Sequence, residues 1–145
     1  MSWMKRFHDD HMFLIQYLPK FEGNLKDLEF GLAGRDVRWE LKEFSDLIKN
    51  VVRPHFELEE KGSYVEAAGM SEEISKFIDE MNAEHKTLYV AFDGFNDAVD
   101  KFDRESIVSY GKTIIKLLKG HIEKEEKVVK RLLQKEESEN NDAQV

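Results

Sequence analysis

The sequence predicts an all-α protein folded as an up-down-up-down four-helix bundle. Apolar residues recur at steps of three and four along four segments, the spacing that places side chains on one helix face. Only two Pro and eight Gly occur in 145 residues, and the abundant Glu, Lys and Leu favour helices. The length suits one domain with its own core. We place it at residues 1–135, before a polar tail at residues 136–145 that we expect to fray.

The first predicted helix ends near Gly31 to Gly34, where closely spaced glycines indicate a turn. His11 is the only polar residue on its inward face. That face comprises Met4, Phe7, His11, Leu14, Leu18, Phe21, Leu25 and Leu28.

The second predicted helix ends in a break between Gly62 and Gly69, and it also has one histidine, His55, within an apolar face. Pro54 has no amide N–H, so we expect a kink or looser hydrogen bonding just before His55. The inward face comprises Val37, Leu41, Phe44, Ile48, Val51, His55 and then Leu58 or Glu59.

The third and fourth predicted helices meet near Asp103, which we predict to be the N-cap of the fourth. His85 is the only polar residue on the inward face of the third helix, whereas the fourth has His121 and Glu125. The third face comprises Ile74, Ile78, Met81, His85, Leu88, Phe92, Phe95, Val99 and Phe102. The fourth face comprises Ile107, Tyr110, Ile114, Leu117, His121, Glu125, Val128 and Leu132.

Four of the five histidines therefore occupy inward positions, one on each predicted helix. A single buried histidine is more often a core residue than a metal ligand. Four inward histidines are a different case from one. An up-down-up-down topology brings residues to the same height in the bundle when they are equally far from the turn between their helices. His11 and His55 are equally far from a turn at Ala33, and the last two inward histidines are equally far from Asp103. Without a metal, unsatisfied nitrogens would each cost about 1–3 kcal/mol.

A hexamer with the pattern H-x-E-x-E-E begins at His55 and again at His121. A histidine and a glutamate four residues apart share a helix face, which pairs His55 with Glu59. The same spacing pairs His121 with Glu125, while Glu57 should face water. One such pair arises easily by chance in a Glu-rich helix, but two copies that each begin at an inward histidine indicate a site. Buried carboxylates require cations, and bridging carboxylates favour two metal ions over one.

These residues resemble the hemerythrin and HHE cation-binding family, whose ligands follow the order His, HxxxE, His and HxxxE. The resemblance covers essentially residues 4–135. It implies a hemerythrin-like bundle that holds two non-haem iron ions joined by an oxo or hydroxo bridge, with both glutamates bridging the ions. The implied metal ligands are His11, His55, Glu59, His85, His121 and Glu125.

Two positions depart from the oxygen-carrying members of that family. Those proteins have a second histidine on the third helix where this chain has Tyr89, and they have an aspartate where this chain has Glu126. The ligand pattern of this chain is similar to that of the family branch whose members have one histidine on the third helix. Members of that branch include iron or oxygen sensors and proteins that handle peroxide or nitric oxide.

Three further residues are candidates for positions around the ligands: His8, Tyr89 and Glu126. His8 could replace the missing histidine, although its position beside Phe7 better fits a solvated residue. Tyr89 could bind a metal, donate a hydrogen bond or pack, and we expect it to pack or to form a hydrogen bond near the site.

The expected function is binding of O2 or NO at two irons, for sensing, buffering or delivery. The alternative is an enzyme that acts on peroxide or nitric oxide at the same site, with Tyr89 or Glu126 moving protons. A metal-free or zinc-containing interaction bundle is a third hypothesis.

Composition and motifs argue against other functional classes. The chain has no Cys, so a metal site must use His and carboxylates. The net charge of −8 argues against nucleic-acid binding. There is no bilayer-length apolar run and no signal-peptide pattern, so we expect a cytoplasmic protein without a membrane partner. Motifs for phosphate binding, serine hydrolysis and EF-hand calcium binding do not occur, and the sequence indicates no oligomeric state.

Overall fold

A computed structural model describes the backbone of residues 2–31 and 36–143, and the side chains of residues 8–31, 37–132, 134 and 135. In those ranges the regular structure is entirely helical, which confirms the all-α prediction. The α-helices are α1 (Ser2–Glu29), α2 (Asp36–Leu47), α3 (Arg53–Leu58), α4 (Tyr64–Ala68), α5 (Glu72–Lys101) and α6 (Arg104–Ala143). Two π-helical segments are π1 (Ile48–Val52) and π2 (Glu59–Ser63).

These elements form the predicted up-down-up-down four-helix bundle. Residues 36–68 are one continuous helix, because π1 joins α2 to α3 and π2 joins α3 to α4. Helix α1 packs on α2 and α6, while α5 packs on α2, α4 and α6. Short connections between successive helices make neighbours antiparallel. Within the described ranges, none of the helices combines the length and apolarity needed to cross a bilayer.

The ends of α5 and α6 have clear capping residues. Ser71 caps α5 by accepting a hydrogen bond from the Ile74 N–H at 3.1 Å. Helix α5 ends at Lys101, and its C-cap residue Phe102 has a left-handed φ of 51°. Asp103 then accepts hydrogen bonds from the N–H and hydroxyl groups of Ser106, at 3.4 and 2.9 Å. The predicted N-cap is confirmed.

The outcome varies among the other predicted helix boundaries. The turn expected near Ala33 lies outside the described residues. The break expected from Gly62 was wrong at its start, because Gly62 lies within π2 and the helix continues to Ala68. Burial of Tyr64 and Ala67 favours this continuation. Helix α6 also continues to Ala143, through most of the segment that we expected to fray, while the domain boundary at residue 135 stays a prediction.

Two apolar clusters fill the bundle, one on each side of a polar layer. The larger cluster lies toward the α5–α6 turn and is centred on stacked Phe21 and Phe44, with ring centroids 3.6 Å apart, and on Phe95, edge-on to Phe21 at 5.4 Å. The smaller cluster lies toward the α4–α5 turn. Its buried members are Tyr64, Ala67, Ile78, Met81 and Val129.

The inward face of the second bundle helix differs from the prediction at Val51. Val51 is 42% exposed and Val52 is buried, since the i→i+5 hydrogen bonding of π1 takes up one extra residue. Of the predicted alternatives Leu58 and Glu59, Glu59 is the buried one. Glu57 faces water, as expected.

The inward face of α6 also differs from the predicted one, because a glycine lies on it. Gly111 is buried, and a side chain there would collide with Leu25. Tyr110 is exposed instead, and its ring covers Gly94 at the helix interface. Farther along, the predicted Leu117 is only half-buried, while the next residue, Leu118, is fully buried.

Candidate metal centre

Six buried polar side chains meet in the layer between the two apolar clusters. All four helices of the bundle contribute, and the structure brings together every residue that the sequence predicts as a metal ligand. They are His11 on α1, His55 on α3, Glu59 on π2, His85 on α5, and His121 and Glu125 on α6. The local helical register explains this convergence, since each residue continues an apolar inward face.

Their donor atoms form two groups, and within each group all donor atoms lie within 4.8 Å of one another. The first group comprises Glu59, His85, His121 and Glu125, and the second comprises His11, His55 and Glu59. Each group has the number and type of donors that a metal ion uses in helical bundles.

Glu59 reaches both groups, with one carboxylate oxygen for each. Its Oε1 contacts Nε2 of His55, and its Oε2 lies 3.4 Å from Nε2 of His85.

Glu125, on α6, also reaches both histidine pairs with one carboxylate oxygen for each. Its Oε2 lies 2.7 Å from Nε2 of His11, and its Oε1 lies 2.8 Å from Nε2 of His121. Both carboxylates therefore lie between a histidine pair formed by His11 and His55 and a second pair formed by His85 and His121.

An outer ring of carboxylates supports the four histidines. Each imidazole points Nε2 to the centre and holds Nδ1 against an acid on a neighbouring helix of the bundle. The pairs are His11 with Glu126 at 2.8 Å, His55 with Asp10 at 2.8 Å, His85 with Glu60 at 2.8 Å, and His121 with Glu84 at 3.2 Å. An Nδ1–H that donates to a carboxylate leaves the Nε2 lone pair available for a metal.

Of the three residues predicted to lie around the ligands, Glu126 belongs to this outer ring, and His8 and Tyr89 contact it. His8 is 49% exposed, and its Nδ1 lies 2.9 Å from Oε2 of Glu126. The other oxygen of Glu126 binds His11. Tyr89 donates a hydrogen bond to Oε1 of Glu60 at 3.2 Å.

Sequence reasoning missed two acids of the ring and the role of a third. Asp10 and Glu84 were not singled out, and Glu60 was given no role. A signal was present, because every helix has an acidic residue adjacent in sequence to an inward ligand.

Tyr64 was also missed, and it lies inside the site. Its side chain is 5% exposed. Its Oη contacts Oε1 of Glu125, lies 2.5 Å from Oε2 of Glu59 and lies 3.3 Å from Nε2 of His85. The two glycines around Tyr64 had indicated a loop rather than a helix.

The environment keeps two of the histidines neutral. Burial, with a further contribution from His121, lowers the pKa of His85 to about 4. Burial and the nearby His11 also lower the pKa of His55. At His11 burial acts in the same direction, but Glu125 and Glu126 outweigh it and raise the pKa. Neutral imidazole is the form that binds metals.

The two inner carboxylates strongly affect each other. Burial and the neighbouring Glu125 raise the pKa of Glu59. Glu125 is equally buried, but the adjacent imidazoles of His11 and His121 lower its pKa. Among the described residues, no Lys or Arg forms an ion pair with either acid. Two adjacent buried carboxylates that are surrounded by imidazoles, with no Lys or Arg paired to them among the described residues, fit a site for metal cations.

The four-helix bundle and its buried histidine and glutamate cluster define a helical metal-binding protein. In a comparison with protein-family models, residues 3–133 match the hemerythrin HHE cation-binding domain. The chain belongs to this family, which confirms the resemblance noted in the sequence. Comparisons with curated proteins and with solved structures gave no match.

Proposed function

We propose that this protein is a non-haem di-iron protein that binds O2 or a similar diatomic molecule such as NO, for sensing, buffering or delivery. One observation carries the proposal. Each of two buried glutamates offers one oxygen to each of two histidine pairs. Carboxylates that reach two groups of nitrogen donors are suited to bridging two metal ions.

The donor types support iron as the metal. Imidazole and carboxylate donors without any thiolate suit iron, and paired iron ions are found between the helices of carboxylate-rich bundles. The proposed cofactor is two iron ions joined by an oxo or hydroxo bridge. Its proposed ligands are His11, His55, Glu59, His85, His121 and Glu125.

Two ferrous ions would supply the electrons and the free coordination positions that O2 or NO requires. The protein would hold them in place and limit access of water. The Phe56 ring stacks on His85 with centroids 4.0 Å apart, and buried Leu88 and Phe92 continue the apolar wall. A dry apolar wall strengthens electrostatic interactions in the site and limits side reactions with water.

Reversible binding can be tested by spectroscopy. The protein is loaded with ferrous iron without air, exposed to O2 and then degassed. We expect an absorption band in the near-ultraviolet and visible region that appears with O2 and disappears on degassing. The His55→Ala variant should lack this band because it loses a ligand. Irreversible bleaching of the wild-type protein would contradict reversible binding.

A second candidate is an enzyme that acts on peroxide or nitric oxide at the same site. The contacts of Glu126 favour it, because this carboxylate joins buried His11 to His8, which is half exposed. Such a chain of titratable groups can move protons between a buried site and solvent.

The enzyme hypothesis predicts steady turnover of peroxide by the iron-loaded protein. Turnover should be lost in His55→Ala and slowed in Glu126→Gln, which keeps the ligands but interrupts the chain to His8. Rates equal to those of free iron would exclude the hypothesis.

A further inference from the structure

Tyr64 occupies a position that the proposed ligand set does not explain. It begins α4, directly after π2, and the i→i+5 bond from its N–H to the carbonyl of Glu59 places the two residues on successive turns of one helix. Both side chains are buried. The phenol therefore points into the polar layer, although the smaller apolar cluster lies beside its ring.

The contacts of the hydroxyl are confined to one side of the site. Tyr64 Oη touches Oε2 of Glu59 and Oε1 of Glu125. These are the oxygens that face the pair formed by His85 and His121. Nε2 of His85 lies 3.3 Å from the same Oη. The opposite oxygens of the two acids face His11 and His55, away from the phenol.

The spacing of these atoms is that of ligands around one ion. Atoms that bind about 2 Å from a metal lie about 3 Å from their neighbours in the coordination shell. Tyr64 Oη lies 2.5 Å from Oε2 of Glu59 and 3.3 Å from Nε2 of His85, and it contacts Oε1 of Glu125, so it adjoins three proposed donor atoms at once. A phenol that only packed would need no contact with three donors, and phenolate oxygen is an established protein ligand of iron.

We propose that Tyr64 is a fifth protein ligand on the side of the site formed by His85 and His121. This inference rests on the proposed iron site. When Fe(III) binds, a bond forms between iron and Oη, the O–H bond breaks, and the proton leaves to solvent. The two halves of the site are then unequal, since the pair formed by His11 and His55 has no corresponding phenol among the described residues.

The test uses the full-length protein loaded with Fe(III). A phenolate bound to Fe(III) gives a charge-transfer band in the visible region, and resonance Raman excitation in that band enhances the ring vibrations of tyrosine. Wild-type protein should show both signals, and Tyr64→Phe should lose both while retaining its iron. The control is Tyr17→Phe, whose ring stacks on Phe44 at 5.6 Å in the larger apolar cluster, and it should keep both signals.

A measurement with Ga(III), which has no charge-transfer band of its own, checks the same contact independently. Addition of Ga(III) to the metal-free protein should give the ultraviolet difference spectrum of one ionised tyrosine, and Tyr64→Phe should abolish it. Circular dichroism establishes that each variant is folded.

The outcomes separate this inference from the proposed function. Iron bound at the same ratio in wild type and Tyr64→Phe, with identical visible spectra, would overturn the tyrosine ligand alone. Wild-type protein that binds no iron would overturn the proposed function and this inference together.

Discussion

At every histidine of the site, Nδ1 faces a carboxylate of the neighbouring helix and Nε2 faces the centre. This arrangement fixes the rotation of each ring and selects the tautomer that can bind a metal. It also spreads the site over the sequence, because the acid that supports a histidine is always on a different helix. Metal affinity should therefore depend on residues that do not touch the metal.

The pair formed by Glu60 and His85 provides a direct test. Glu60→Ala removes the partner of Nδ1 of His85, at 2.8 Å, and the acceptor for Tyr89. We expect iron affinity to fall about 10- to 100-fold, the usual effect of losing such a supporting residue. Competition with a chromogenic chelator measures the change.

Glu57→Ala is the matched control, since Glu57 lies on the same helix but faces water. Its iron affinity should equal that of wild type. Equal affinities for Glu60→Ala and Glu57→Ala would mean that the outer carboxylates do not support the histidines.

Which residues the sequence could reveal depended on their surroundings. A histidine or glutamate within an apolar face is conspicuous, so the six inner residues could be selected from spacing alone. Asp10 and Glu84 lie at the boundary between interior and solvent, where an acid is ordinary. Tyr64 was missed because flanking glycines usually indicate a loop, whereas here one of them lies inside a π turn.

Two π turns set the register of the second bundle helix. The N–H of Arg53 bonds to the carbonyl of Ile48, and the N–H of Tyr64 bonds to that of Glu59. Each i→i+5 turn takes up one extra residue and changes which side chains point inward. Pro54 is the second residue of α3, two positions after the end of π1, and it has no amide N–H to donate. The kink or looser hydrogen bonding expected at Pro54 stays a prediction.

An insertion in π1 tests the importance of this register. The π turn already takes up one extra residue, so an additional alanine after Asn50 should rotate the following residues by about 100° relative to the core. His55 and Glu59 would then leave the site together. We expect loss of high-affinity iron binding with most of the helical circular dichroism retained.

Asn50→Ala keeps the residue count at the same exposed position and should bind iron like wild type. Wild-type affinity in the insertion variant would show that the register of π1 is not required. This π turn was not predictable from apolar spacing, because steps of three and four describe an α-helix, and they selected Val51 where Val52 is buried.

Across the whole molecule, a buried polar layer separates two apolar clusters. The topology was predictable because equal distances from the turns brought the histidines to one level. The same layer links metal binding to folding, since every helix of the bundle contributes a donor. A ligand that binds only the folded state stabilises it by about 2.7 kcal/mol at 100 times its Kd. For a chain of this size, iron should raise the Tm by roughly 5–10 °C.

The substitution Glu59→Gln separates the effect of metal from that of the buried charge. Glu59 is 1% exposed beside Glu125, so replacing it with a neutral side chain of similar volume removes repulsion between two buried acids. The metal-free variant should therefore melt no lower than metal-free wild type, whereas iron should raise its Tm much less. Thermal melts followed by circular dichroism, with iron and with chelator, measure both effects. An equal rise in Tm with iron in both proteins would mean that the metal binds elsewhere, because a site bridged by Glu59 cannot stabilise the variant to the same extent.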